Sequence, residues 1–309
     1  MKQILVTGAS GFLGKHLVNT LSNNAIDVTA LNSGIADLTD CSSLNNIPLK
    51  NYDHIFHLAA WTQAGDFCAK RGGEQWIINQ QINTNILNWW AKNAPDAKMI
   101  AFGTSVSYAI EKNLAEEEYM QGLPYDKFYA YAMTKRMLLA GLQSLHKQFG
   151  MKYLYVIPST LYGPGYHMDG RQMHFIYDLV RKILRGKMYN EPVTLWGDGE
   201  QRRELVYIAD FIQSLLTLND IAENDLFNIG GGEDYSIRDF ARVICDITGY
   251  DPGKIGYDIH QYVGAKSKIL NIEKFQSVTG KELQKTDLKT GISNTINWFL
   301  ENKETLLAP

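Results

Sequence analysis

Over the first 160 residues the spacing of apolar positions changes period repeatedly. Gln3–Thr7 is a short apolar run, and Phe12–Leu21 then places apolar residues at helical spacing. Asp27–Leu31 reads as a second strand and His54–His57, after a polar stretch, as a third. Gln80–Trp90 reads as a helix, Met99–Phe102 as a strand, Tyr129–Phe149 as a long helix and Tyr153–Ile157 as another strand. Strands alternating with helices predict an α/β fold whose parallel sheet is covered on both faces.

Beyond about Pro158 the pattern becomes mixed. Gly163, Pro164, Gly165 and Gly170 mark irregular loops, followed by a helical stretch Phe175–Leu184 and a strand-like Val193–Trp196. Gly197-Asp198-Gly199 and Asn228–Gly232 are further loop signals, and Ile237–Thr248 is a helix. The chain shows no internal repeat or low-complexity segment. These features predict one lobe over residues 1–160, to which the chain returns around 204–230, and a smaller α/β lobe over 161–309.

Composition narrows the classes. Hydrophobic residues make up 45% and charged residues 20%, with a net charge of −3. That is a globular protein with a full core and no general affinity for nucleic acid or an anionic membrane. An anionic ligand must be held by a local group of cations. Cys41, Cys68 and Cys245 have no paired spacing, as expected of free thiols in a reducing cytoplasm. The start of the chain lacks a signal-peptide pattern, and no apolar run reaches the roughly 20 residues of a membrane span. The expected location is the cytoplasm.

Two segments carry chemistry. Val6-Thr7-Gly8-Ala9-Ser10-Gly11-Phe12-Leu13-Gly14 follows a strand and opens a helix. Glycine in the turn permits positive φ, Gly11 lets backbone amides approach a pyrophosphate at the helix N-terminus, and Gly14 permits close helix–strand packing. In that context the glycines predict dinucleotide binding. An acid ending the second strand would hold the adenosine ribose of NAD, but that strand ends Leu31-Asn32-Ser33. Nor does an Arg stand at Ser10, Asn32 or Ser33 to grip a 2′-phosphate. Either NADP or NAD is tolerated, and the missing carboxylate, which would repel a phosphate, tips the expectation slightly to NADP.

The second segment is Tyr131-Ala-Met-Thr-Lys135, which places Tyr and Lys one turn apart on one helix face. An ammonium beside the phenol is expected to stabilise the phenolate and bring its pKa toward the working range. The neighbouring Tyr125, Phe128 and Tyr129 also permit a core-packing explanation. Upstream, Phe102-Gly103-Thr104-Ser105-Val106-Ser107-Tyr108 lies at a strand end, where parallel-sheet enzymes place ligands. A hydroxyl there can bond a substrate carbonyl oxygen, with Thr104 the first choice and Ser105 the second. A polar strand end with capping hydroxyls is the bland alternative.

With these residues in place, the chain resembles the NAD-dependent epimerase/dehydratase family of nucleotide-sugar enzymes, within the extended short-chain dehydrogenases, and there the GDP-L-fucose synthases. The likeness runs nearly end to end. It includes Gly8/Gly11/Gly14, His57-Leu58-Ala59-Ala60, Asn79 with Asn85, the strand end 103–108, Tyr131…Lys135, and Pro158-Ser-Thr160-Leu-Tyr-Gly-Pro164. Trp196-Gly-Asp-Gly, Arg203-Glu204, Asn228-Ile-Gly230 and the tail Trp298–Asn302 follow.

The resemblance implies a doubly wound Rossmann sheet carrying a nicotinamide cofactor, and a substrate lobe that takes a nucleoside-diphosphate sugar. It implies cofactor contacts from Gly8, Ser10, Gly11, Phe12, Leu13, Gly14, Asn32, Asp37, Leu38, Leu58, Ala59, Ala60, Asn79, Tyr131, Lys135 and Pro158. Asp37 is open to a second reading, as a turn acid. The substrate's pyrophosphate would meet Arg203, with Arg181 and Lys268 as further candidates, and Thr104, Ser105, Thr160, His174 and Trp196 would complete that site. Arg203-Glu204 could instead form a local salt bridge.

Departures from the fucose-synthase pattern also matter. Val106 replaces the Cys that resembles the epimerisation base, Thr160 replaces an Asn, and Ser10 and Asn32 replace two Arg. His174 matches the partner acid in position, although a packing His would explain it too. The expected activity is therefore reduction of a 4-keto-6-deoxy sugar with Thr104, Tyr131, Lys135 and His174 as the catalytic set, without metal, and with epimerisation in doubt. The rival activities are a 4-epimerase that retains its NAD and a non-catalytic NAD(P) sensor. Helices Gln80–Trp90 and Tyr129–Phe149 resemble those that pair in a family dimer. Of the adjacent Trp89 and Trp90, at least one is expected to leave the core-facing stripe.

Overall fold

The computed structural model describes residues 1–24, 26–109, 114–260, 267–280 and 285–307. Twelve strands are named here: β1 Gln3–Thr7, β2 Asp27–Leu31, β3 His54–His57, β4 Lys98–Phe102, β5 Tyr153–Pro158, β6 Thr160–Tyr162, β7 Val193–Trp196, β8 Arg202–Arg203, β9 Leu205–Tyr207, β10 Asp225–Ile229, β11 Tyr235–Ser236 and β12 Ile255–Asp258. The helices are α1 Phe12–Ser22, α2 Phe67–Lys70, α3 Gly72–Asn93, α4 Tyr129–Phe149, α5 Phe175–Tyr189, α6 Ile208–Ile221, α7 Ile237–Thr248, α8 Glu273–Thr279, α9 Leu288–Glu301 and α10 Lys303–Leu306.

Six parallel strands form the central sheet in the order β10-β5-β4-β3-β1-β2. Because helices cover both faces, these strands are apolar along their length rather than alternating; β4 is buried at every position. The strand order reverses between β1 and β3, and the crevice at the carboxyl ends of the strands there is where such sheets hold ligands.

One core gathers the sheet, α3, α4 and α6, together with Leu270–Phe275. A second gathers Tyr162, α5, α7 and α9 around Phe240 and Phe299. The chain returns to the first core through β9, α6 and β10, so the central sheet takes its sixth strand from residues 225–229.

Most predicted elements match within a few residues, and the differences have physical causes. α3 starts at Gly72, two turns before Gln80, because its first turns bury Gln75 and Asn79 instead of apolar side chains. α6 buries Ile208, Phe211, Ile212, Leu215 and Leu218, and it packs on β5 and β10 beside α1. Both Trp89 and Trp90 are buried, contrary to expectation. Trp89 packs on Tyr52 at 6.2 Å, and Trp90 donates from Nε1 to the Ala97 carbonyl at 2.9 Å. The turn after α3 doubles back and covers the second indole.

Beneath the sheet's carboxyl edge lies a buried polar chain. The Ala59 N–H donates to Thr7 Oγ1, and that hydroxyl lies 2.9 Å from His57 Nδ1. His57 Nε2 lies 3.3 Å from Asn83 Oδ1, and Asn83 Nδ2 donates to the Thr134 carbonyl. With Thr7 Oγ1 already accepting and the Asn83 amide oriented by Thr134, His57 fits as the neutral Nε2–H tautomer.

Burial, helped by the Lys135 charge, lowers the His57 imidazole to about 4. Its folded pKa thus lies below the unfolded value near 6.5. The neutral ring contributes stability that is complete above pH 6.5 and is lost as the pH falls toward 4, by up to about 3 kcal/mol. Urea unfolding at a series of pH values should show this loss, and H57Q should flatten it. An equal pH dependence in both proteins would remove His57 as the cause.

Candidate active site

The turn between β1 and α1 is built by contact. Gly8 has φ +66°, and a Cβ there would lie 2.7 Å from the Ala59 backbone nitrogen. A Cβ on Gly14 would lie 2.3 Å from the Gly8 carbonyl oxygen. No side chain fits at either place. Gly11 begins α1 without a side-chain cap, so the first helix N–H groups, those of Phe12, Leu13 and Gly14 among them, have no partner from the helix itself. This cradle fits a dinucleotide pyrophosphate, which the helix N-terminus favours as an anion.

Leu58, Ala59 and Ala60 form the wall opposite, half-buried after β3. Asn79 holds that wall from behind. Its Oδ1 accepts the Trp61 N–H at 2.9 Å and its Nδ2 donates to the Trp61 carbonyl at 3.0 Å, so it acts on the cofactor cleft by fixing the loop.

At the adenosine end, Ser10 is exposed and Asn32 turns its Oδ1 to the Gly34 and Ile35 N–H groups. Asp37 accepts from the Thr39 N–H and hydroxyl, which is the geometry of a turn acid. Leu38 is buried, and its carbonyl accepts from Asn85 at 2.8 Å. Pro158 ends β5 in register with Ile229.

Tyr131 and Lys135 share one face of α4, with Lys135 Nζ 5.8 Å from the Tyr131 ring centre. α4 is fixed on two sides. The Tyr155 hydroxyl donates to the Lys135 carbonyl at 2.7 Å, and the Arg136 guanidinium donates to the carbonyls of Ser107, Gln121 and Gly122. Burial lowers the Lys135 ammonium to about 8.

The phenol departs from expectation: burial above all, with Cys68 and Tyr119 nearby, holds Tyr131 well above its ordinary pKa, against a lowering contribution from Thr62. An ammonium beside the ring does not outweigh the cost of burying a phenolate. Tyr131 is therefore a neutral phenol at pH 7, the form that can give a proton.

Thr104 caps the short turn 105–107, its Oγ1 accepting the Val106 N–H at 3.4 Å. That leaves its hydrogen free for an oxygen in the cleft. Ser105 is half-buried beside it. His174 precedes α5 as an exposed residue, 6.2 Å from Tyr166 ring to ring. The protein atoms packed around the ring, and after them His167, lower its imidazole to about 4.

In the second lobe, β6 pairs with β9 so that Thr160 lies opposite Leu205, next to Arg203 and Glu204 in sequence. Glu204 is buried, and its carboxylate accepts the N–H groups of Gly232 at 3.0 Å and Leu270 at 3.1 Å. These bonds draw the 268–270 segment against β8. Lys268 is lowered to about 7, first by burial and then by the Arg203 charge. Burial also lowers Arg203. Arg203 and Lys268 therefore lie close enough for the charge of one to disfavour that of the other. Arg181 pairs with Asp178 at 2.7 Å, and Trp196 is 53% exposed at the end of β7, ahead of Gly197 at φ +72°.

Sequence reasoning missed Thr62, Gln75 and Asn83. The signal was present: Gln75, Asn79 and Asn83 recur every four residues, the spacing of one helix face.

Comparison with known proteins agrees with this geometry. The chain is 26% identical over 327 residues, covering 98% of it and 97% of the relative, to a dTDP-4-dehydro-6-deoxy-D-allose reductase of a Streptomyces species. It is 26% identical over 308 residues to a GDP-L-fucose synthase of Sinorhizobium fredii, covering 97% and 96%. Its fold matches the crystal structure of a GDP-L-fucose synthetase from Naegleria fowleri bound to NADP, with a TM-score of 0.84, 24% identity, and 99% and 96% of the two chains covered. The sequence model of the NAD dependent epimerase/dehydratase family matches residues 4–230, and the chain belongs to that family.

Proposed function

We propose that this protein reduces the keto group of a nucleoside-diphosphate sugar, with a 4-keto-6-deoxy sugar as the substrate class. The observation that carries this reading is the Arg203–Lys268 cation pair, brought together by Glu204, in a chain that also carries Tyr131 and Lys135. Both relatives are named for reactions of nucleotide-linked sugars. Thr160 and Trp196 would complete the nucleotide-sugar site, with Arg181 released from Asp178 as a further cation.

A nicotinamide dinucleotide, when bound, supplies the hydride. The Gly8–Gly14 turn and the 58–60 wall would hold it. Without an acid at the end of β2 to repel a 2′-phosphate, we favour NADP over NAD. Thr104 donates to the carbonyl oxygen with Ser105 next to it, and Tyr131 gives its proton to the developing alkoxide. Lys135 balances the phenolate left behind. A 4-epimerase would end each turnover with its cofactor unchanged, whereas this reaction consumes reduced cofactor. A sensor would have no use for a buried proton donor.

Epimerisation needs a base beside the ketone. Val106 has no titratable atom, burial raises the Cys68 thiol, and His174 at about 4 is a weak base. With NADPH and dTDP- or GDP-4-keto-6-deoxyhexose, the protein should consume cofactor with one equivalent of ketone. Y131F should lose about 10²–10⁴ in rate while still binding NADPH. In D₂O without cofactor, the ketone should gain no deuterium at carbons 3 and 5. Normal turnover by Y131F, or rapid deuterium uptake, would overturn the corresponding part of the mechanism.

The anion site carries a pH signature. Below about pH 7 Lys268 is charged and above it neutral, and a bound diphosphate raises its pKa. At pH 8, GDP-mannose or dTDP-glucose should bind with net proton uptake, read by calorimetry in buffers of different ionisation heat. K268M should abolish the uptake. Uptake that persists in K268M would assign it to another group.

We propose a homodimer built on α3 and α4. Their outer faces form a groove of about 800 Å³ lined by Thr84, Leu87, Met137, Gly141, Leu145 and Phe149. Phe149 is 61% exposed there. Among the described residues no helix is long and apolar enough to cross a membrane, and all three cysteines are free thiols, which suits a cytoplasmic protein. Light scattering should give twice the 34.9 kDa chain mass at micromolar concentration, and M137E should give the monomer. A wild-type monomer would remove this interface.

A further inference from the structure

Ser107 is fully buried in the turn that follows β4, and each of its three polar atoms is engaged. Its N–H donates to the Thr104 carbonyl at 3.0 Å, which folds the turn back onto the residue proposed to meet the ketone. Its hydroxyl donates to the Ala132 carbonyl at 3.1 Å, and its carbonyl accepts from Arg136 Nη2 at 2.6 Å. Both of these partners stand on α4. Ala132 directly follows Tyr131, and Arg136 directly follows Lys135.

Ala132 and Arg136 lie one helical turn apart, so Ser107 meets one side of α4 at two heights. A single contact would leave the turn free to pivot, whereas two fix both its distance from the helix and its tilt. Arg136 is itself buried and held. Its Nη1 donates to the Gly122 carbonyl at 2.6 Å and its Nη2 also to that of Gln121 at 2.9 Å, while Nε has no partner among the described residues. Before Thr104 there is no slack either. A Cβ on Gly103 would lie 2.7 Å from the Tyr119 hydroxyl and 2.7 Å from the Tyr155 ring.

The Ser107 hydroxyl is not needed to complete the helix. The Ala132 carbonyl lies inside α4 and already accepts an intrahelical N–H, so loss of the hydroxyl leaves no group unpaired. An apolar side chain at that depth would avoid the cost of desolvating a hydroxyl. We infer that Ser107 is a positioning residue: it locks the Thr104 turn to α4 and so sets the Thr104 hydroxyl against the Tyr131–Lys135 pair. A ketone oxygen held between Thr104 and Tyr131 requires that spacing. Misplacing such a group by about 1 Å can cost on the order of a hundredfold in rate.

The inference rests on the reductase reading for its kinetic consequence, but the spacing can be measured without turnover. Crystal structures of the wild type and S107A, each with NADP⁺, should differ in the Thr104 Oγ1 to Tyr131 Oη separation by more than about 0.5 Å. With NADPH and dTDP- or GDP-4-keto-6-deoxyhexose, S107A should lower kcat about tenfold to a hundredfold at unchanged KM for NADPH. If Ser107 acts through Thr104, the same change made in T104V should cost less than about twofold. An unchanged separation, wild-type kcat in S107A, or an undiminished second loss in T104V would overturn the inference. Should the wild type reduce neither nucleotide, the substrate reading fails, while the separation still decides whether Ser107 places Thr104.

Discussion

Gln75, Asn79 and Asn83 face the interior of the molecule from one side of α3, at a depth where apolar side chains are the rule. Each amide there must find partners or cost a few kcal/mol. They find them in three separate segments: Gln75 in Thr62 and Trp61, Asn79 in Trp61, and Asn83 in His57 and the Thr134 carbonyl. The wall of the cofactor cleft, the end of β3 and the helix that carries Tyr131 and Lys135 are therefore referenced to one rigid helix. A buried polar network of this kind fixes geometry more sharply than apolar contact, because a slip of one residue leaves several groups unpaired at once. The placement of Tyr131 against the cleft follows from it.

Low local polarity then sets the charge states. It keeps the Tyr131 phenol and the His57 imidazole neutral, and brings Lys135 and Lys268 to about 8 and 7. The same physics gives opposite outcomes in the two lobes. Near α4 it favours a neutral acid ready to give a proton. Beside β8, burial and the neighbouring Arg203 charge make the Lys268 ammonium easier to deprotonate.

Much of this was legible in the residues. All five early strands and the long α4 follow directly from period, because a parallel sheet demands apolar runs and its covering helices an apolar stripe. The glycine turn was legible as well, since Gly8 and Gly14 sit where no Cβ fits. Three parts were hidden. The sixth strand, β10, carries Asn228, whose side chain accepts from Tyr108 and donates to Leu114 and Asn271, so a core strand looks polar. α6 is covered on several sides and lacks a clean stripe. The expectation that Lys135 would lower the Tyr131 pKa failed because sequence reports neighbours but not depth, and here depth wins.

The two lobes are joined by more than the crossing chain. His16 on α1 reaches the Pro164 carbonyl at 2.9 Å, and Phe12, inside the glycine turn, packs edge-on against Tyr166 at 5.3 Å. Tyr166 in turn stacks on Tyr177 of α5 at 4.0 Å, with the rings 11° from parallel. The helix that presents its N-terminus to a pyrophosphate is thus in direct contact with the loop that leads to His174 and the second core. These close-packed aromatic contacts hold the helix N-terminus and the loop in one fixed arrangement. The β9–α6–β10 return ties the lobes a second time, and α6 touches α1 itself. Two attachments at separate places resist twisting better than a single hinge.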